Sequence, residues 1–119
     1  MNQPSEYSGE GLALLDLFLN ELQKDLNVFK LNLERIESGQ YSLLIYDDLG
    51  RVSHSIHGAA KLINLSSIAS ITAALEIFYK KAADLKRKLS DDQIKLLSQV
   101  YELLYRIAAN PSSSLISTI

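Results

Sequence analysis

Apolar residues recur at alternating steps of three and four through four successive stretches of the chain, the spacing of a helix with one buried stripe. The first stripe is Leu12, Leu15, Leu19, Leu22, Leu26, Phe29, Leu33 and Ile36, stopping at Ser38-Gly39, where glycine suits a helix C-terminus. The second is Ile45, Leu49, Val52, Ile56, Ala59 and Ile63, ending at Asn64, a residue that tolerates the left-handed conformation. The third begins after Ser66-Ser67, either of which suits a cap, and runs Ile68, Ile71, Leu75, Phe78, Ala82, Leu85 and Leu89. The fourth opens with Ser90-Asp-Asp-Gln93, a capping box, and continues Ile94, Leu97, Tyr101, Leu104 and Ala108 to Asn110-Pro111. The pattern predicts helices over about 10–37, 42–63, 67–89 and 91–109. Lys86, Arg87 and Lys88 would close the third helix and Asp91 and Asp92 open the fourth, as the helix dipole favours.

Connections of only a few residues make neighbouring helices antiparallel, so the expected fold is all-α: an up-down four-helix bundle over residues 9–110. Residues 1–8 read as a flexible N-terminus, and 111–119 as a linker or a short fifth helix.

Composition narrows the function classes. A chain of 119 residues suits one domain with one core. A net charge of −2 gives no general field for nucleic acid or an anionic membrane. Without cysteine there is no disulfide and no thiolate chemistry, which fits a reducing compartment. The N-terminus lacks a basic segment followed by an apolar run, and no stretch approaches the ~20 apolar residues of a membrane span. A cytoplasmic protein that binds neither membrane nor nucleic acid is expected.

One segment breaks the helical grammar. His54, in Arg51-Val-Ser-His-Ser-Ile-His-Gly-Ala-Ala60, has Gly50 one turn before it and Gly58 one turn after. A glycine inside a helix costs roughly 1 kcal/mol against alanine, so two on one face suggest close approach by something large. At ~100° per residue, His54 projects opposite the stripe centred on Val52 and Ile56, into solvent. Asp47, Gly50, Arg51, Gly58 and Lys61 share that outer face, with His57 at its edge. A hydrolase is poorly supported, since there is no thiol, nucleophile elbow or Gly-rich oxyanion loop. His54 and His57 have zinc spacing, but no further ligands form a known pattern, so no metal site is assigned. No phosphate-cradling glycine loop is present. An ordinary solvated histidine fits the projection and leaves the glycines unexplained. A histidine modified covalently by a partner fits both.

His54-Ser-Ile-His-Gly-Ala-Ala60 resembles the phosphorylation motif of histidine-containing phosphotransfer (HPt) domains, roughly His-x-Leu/Ile-Lys-Gly-small-small. Lys61-Leu-Ile-Asn-Leu65 resembles the family's helix-two exit, and Ile71-Thr-Ala-Ala-Leu-Glu76 its helix three with a glutamate. Phe18-Leu-Asn-Glu-Leu22 is similar to the first helix, especially in the N-terminal phosphotransfer domain of chemotaxis-type sensor histidine kinases. The likeness covers about residues 10 to 108.

The resemblance implies that His54 is a phosphoacceptor and that Glu76 accepts a hydrogen bond from its Nδ1–H. That bond would leave Nε2 free and more nucleophilic. Gly58 would make room for the phosphoryl group and a docking receiver domain. Arg51, Lys61 and Gly50 share its outer face and are assigned to docking from that placement, Gly50 having no counterpart in the motif. It further implies a phosphocarrier rather than an enzyme, with a histidine kinase and a response-regulator receiver as partners. ATP and magnesium would belong to those partners, with no cofactor bound here. The sequence departs from the pattern at His57, where the family has lysine. Lysine keeps its charge at pH 7, whereas an imidazole has a reference pKa of about 6.5; Arg51 or Lys61 would then supply part of the charge. Asn64 replaces a common glycine, and Ala73 stands where chemotaxis-type members often carry another histidine. The alternative reading is a non-catalytic interaction bundle that has lost phosphotransfer.

Overall fold

The computed structural model describes residues 9–109 and folds them into four helices. Helix α1 spans Gly9–Glu37, α2 Leu43–Leu62, α3 Ser66–Leu85 and α4 Asp91–Ala109. No strand occurs among the described residues. Hydrogen bonds between α2 and α3 join His54 to Glu76 and His57 to Ala69, so the two helices run antiparallel. The architecture is the expected all-α four-helix bundle. Residues 1–8, the segment 111–119 expected as a linker or fifth helix, and the Leu12 side chain lie outside the described residues.

A single core fills the bundle. From α1 it takes Leu15, Leu19, Leu22, Leu26, Phe29, Leu33 and Ile36, as the stripe predicts. Ile45, Leu49, Val52 and Ile56 of α2 face them, and α4 adds Leu97, Tyr101, Leu104 and Ile107. Fully burying each such aliphatic or aromatic side chain contributes about 1.5–3 kcal/mol, so these stripes dominate stability. α1 packs on both α2 and α4, and α2 packs most extensively on α3. α3 and α4, although consecutive, approach each other much less closely.

The helix ends are chemically explicit. Gly39 closes α1 at φ +90°, a conformation that favours glycine. Ser42 caps α2 by accepting the Leu44 N–H at 3.2 Å. Ser90 and Gln93 form the reciprocal capping box of α4: Ser90 Oγ accepts the Gln93 N–H at 3.2 Å, and Gln93 Oε1 accepts the Ser90 N–H at 2.8 Å.

α3 departs from expectation in three ways. It ends at Leu85 instead of 89, because Lys86 turns left-handed (φ 51°, ψ 46°). The Lys86 and Arg87 N–H groups then bond back to the Ala83 and Ala82 carbonyls, the paired closure of a Schellman turn. Lys86, Arg87, Lys88 and Leu89 therefore lie in the connector and do not continue the helix. At its start, neither Ser66 nor Ser67 caps α3; Leu65 occupies the cap position with no side-chain bond and is buried in the core. Finally, the buried face is rotated relative to the apolar stripe. Thr72 and Tyr79 are fully buried while Leu85 is 52% exposed. Thr72 tolerates burial because its hydroxyl donates to the Ile68 carbonyl at 2.8 Å.

Candidate functional site

α2 buries its Ile45-Leu49-Val52-Ile56 stripe against α1 and α3 and thereby turns the opposite face outward. His54 stands on that face with 71% of its side chain exposed. Its Nδ1 lies 2.9 Å from Oε2 of Glu76, which reaches across from α3. A carboxylate can only accept, so Nδ1 carries the proton and Nε2 is left free, directed away from the pair. α2 thus sets the direction of the ring, and α3, through Glu76, sets its tautomer.

An open depression of about 460 Å³ lies between α2 and α3 beside this pair. Gly50, Arg51, His54 and Glu76 all line it, so four of the residues singled out from sequence are brought together. Sequence reasoning missed Lys80, which lines the same depression from α3. A signal for it existed: Lys80 follows Glu76 by one turn and must share its face. Arg51 is engaged by Asp48 at 2.9 Å, whereas Lys80 makes no ion pair among the described residues. Asp47 and Asp84 line the depression too, so its cations sit among carboxylates.

His57 and Lys61 go elsewhere. They line a second depression of about 310 Å³, with Asn64, Ser66, Ser70 and Ala73. The half-buried His57 ring donates its Nδ1–H to the Ala69 carbonyl at 2.9 Å. A carbonyl only accepts, which fixes this tautomer as well. Arg51 and Lys80 therefore line the depression beside His54, and His57 does not.

The two glycines differ in their surroundings. A Cβ on Gly58 would meet nothing within 4 Å, and on Gly50 it would meet only the Tyr79 Cβ at 4.0 Å. Neither glycine is required by packing within the domain. On the other flank, Ser55 donates to Asp25 of α1 at 2.9 Å. Burial raises the Asp25 pKa above its ordinary 3.8; the Ser55 hydrogen bond opposes that rise and the nearby Glu21 charge adds to it. The Tyr79 hydroxyl and Ser53 Oγ are buried without hydrogen-bond partners. Burial pushes the Tyr79 phenol strongly upward, so it stays neutral.

Among the described residues, no group of three or more His, Asp or Glu side chains is placed to hold a metal ion. No described helix is long and apolar enough to cross a membrane. The family model for the Hpt domain matches residues 13–109. No curated protein and no solved structure gives a significant match. The chain belongs to the Hpt domain family, whose members are phosphocarrier modules of two-component phosphorelays and work with histidine kinases and response regulators.

Proposed function

We propose that His54 is the phosphoacceptor of this Hpt domain. It takes a phosphoryl group at Nε2 from a histidine kinase and passes it to an aspartate of a response-regulator receiver. The observation that carries this reading is the 2.9 Å contact between Nδ1 and Glu76 on a ring that is 71% exposed. The Nε2 lone pair attacks phosphorus, and the bond to the donor's leaving atom breaks with its electron pair. The ring keeps its Nδ1 proton and becomes a cationic phosphoimidazolium, whose charge the Glu76 carboxylate balances. In the reverse sense, a receiver carboxylate oxygen attacks phosphorus and the P–N electron pair returns to Nε2. Glu76 is thus a positioning and charge-balancing group that touches the reacting ring without contacting phosphorus.

Phosphoryl transfer depends mainly on alignment and neutralisation of the equatorial oxygens. Lys80 and Arg51 are the cations of this chain suited to that work, and magnesium would come with the kinase and receiver. Gly50 and Gly58 keep the outer face of α2 low, so that the receiver's acidic site can reach Nε2. His57 and Lys61, one to two turns away, form part of the docking face.

The test uses phosphoramidate, a small phosphohistidine-forming donor, alongside a histidine kinase with ATP and magnesium. Acid-labile phosphate should appear on the protein, vanish in His54→Gln and persist in His57→Gln. Label that survives in His54→Gln would sink the assignment. No label from either donor would favour the interaction-bundle reading.

A further inference from the structure

Residues 80–88, Lys-Lys-Ala-Ala-Asp-Leu-Lys-Arg-Lys, hold five of the twelve basic residues of the chain and one of its fourteen acids. In a protein of net charge −2 this is a marked local concentration. The fold divides it between two faces of α3. Lys80 turns toward the His54 depression, while Lys81, about 100° further round, turns toward α4. There, where α3 and α4 diverge, a groove of about 550 Å³ opens beside their connector. Its floor includes Phe78, Leu85 and Leu89, and Lys81, Arg87 and Lys88 stand along it. Leu85 is left 52% exposed although it belongs to the apolar stripe.

The groove is built rather than incidental. Lys86 is held left-handed by the Schellman closure of α3, and Ser90 and Gln93 lock the start of α4. Between them, the Arg87 carbonyl accepts a hydrogen bond from the Tyr46 hydroxyl of α2. The backbone carrying the basic residues is therefore fixed from three sides. None of Lys81, Lys86, Arg87 or Lys88 makes an ion pair among the described residues, although Asp84, Asp91 and Asp92 are nearby in sequence.

We propose that this groove docks an acidic amphipathic helix of a partner protein. Leucine-type side chains would cover Phe78, Leu85 and Leu89, and carboxylates three and four residues away would pair with Lys81, Arg87 and Lys88. Charge complementarity selects an acidic occupant. The concave apolar floor selects a helix face over a flat lipid surface, which would reach the cations but not Phe78. The segment 110–119 of this chain has no acidic residue and does not fit the description. The site is on a different face of α3 from Glu76, so docking there is compatible with an unobstructed His54.

The experiment titrates the ¹⁵N-labelled domain with a synthetic helix of leucines and glutamates at three- and four-residue spacing. A peptide of the same composition in scrambled order, and vesicles of equal parts phosphatidylcholine and phosphatidylserine, are run beside it. The ordered peptide should shift amides over residues 78–93 most strongly, with at most a small change at His54. The exposed-site variants Leu85→Ser and Arg87→Glu/Lys88→Glu should each weaken it by about tenfold or more, as loss of a groove anchor or a rim pair does. The inference is overturned if the ordered peptide does not bind, or if the scrambled peptide binds equally well. It is also overturned if vesicles bind while Leu85→Ser changes nothing, which would mark a membrane-facing charge patch.

Discussion

Replacing Gly58 by alanine separates what the domain needs for stability from what it needs for phosphotransfer. Gly58 lies inside α2, one turn before its last residue, Leu62. Its added Cβ would meet nothing within 4 Å, so no packing strain opposes the change. What remains is intrinsic helix propensity, about 0.8–1 kcal/mol in favour of alanine. For a domain of this size that corresponds to a rise in Tm of roughly 3–8 °C. On the proposed function, the same methyl group would stand where a receiver approaches Nε2 of His54. Overpacking a close interface costs about 1–3 kcal/mol, so transfer should slow by about five- to a hundredfold. The assay has two arms: thermal unfolding followed by circular dichroism, and single-turnover transfer from the phosphorylated domain to a receiver with which the unmodified domain exchanges. A Gly58→Ala protein that is more stable and slower supports the reasoning. One that is less stable refutes the geometry, and one that is more stable but transfers at full speed refutes the docking role of the glycine.

Three further changes probe the site's chemistry. Tyr79→Phe removes a buried hydroxyl that has no partner, so urea unfolding should show equal or greater stability, by up to about 1–2 kcal/mol. Glu76→Ala should leave stability within about 0.5 kcal/mol, as for a surface change. It should also release the fixed tautomer of His54, visible as a change in its ¹⁵N ring shifts, and slow labelling by phosphoramidate; unchanged ring shifts would count against the pairing. Asp25→Asn addresses pH. Because the folded state raises the Asp25 pKa above 3.8, the native protein binds the proton more tightly, and stability from this group falls as pH rises from 3.8 through the raised value. The amide variant should therefore be more stable than the parent at pH 7 and lose that advantage below pH 3.8; a destabilised variant at pH 7 would show the Ser55 hydrogen bond outweighing burial.

Much of the bundle was legible in the sequence because the 3.6-residue period acts within one helix. Leu22, Leu26, Phe29 and Leu33 are buried where the stripe puts them, and His54 points outward for the same reason. The rotation of α3 was not legible. Thr72 and Tyr79 carry polar atoms and fall outside an apolar stripe, yet both are buried, Thr72 with its hydroxyl bonded to its own helix and Tyr79 with its hydroxyl unpartnered. The end of α3 was overrun because a lysine, rather than glycine or asparagine, adopts the left-handed turn. Relations between helices escaped for a different reason. Placing Lys80 beside His54, and tying His57 to Ala69, requires the register of α3 against α2, which no single-helix period encodes.

Tyr46 belongs to two places at once. Its ring borders the His54 depression while its hydroxyl holds the Arg87 carbonyl of the α3–α4 connector. Any ligand in the groove that shifts the connector therefore has one polar strut through which to bias the His54 face. A net hydrogen bond is worth about 0.5–1.5 kcal/mol, so the thermodynamic coupling this strut can transmit is capped at about two- to tenfold in affinity, equal in both directions. A signal crossing this domain by that route would be graded rather than all-or-none, trimming the traffic of phosphoryl groups without switching it off.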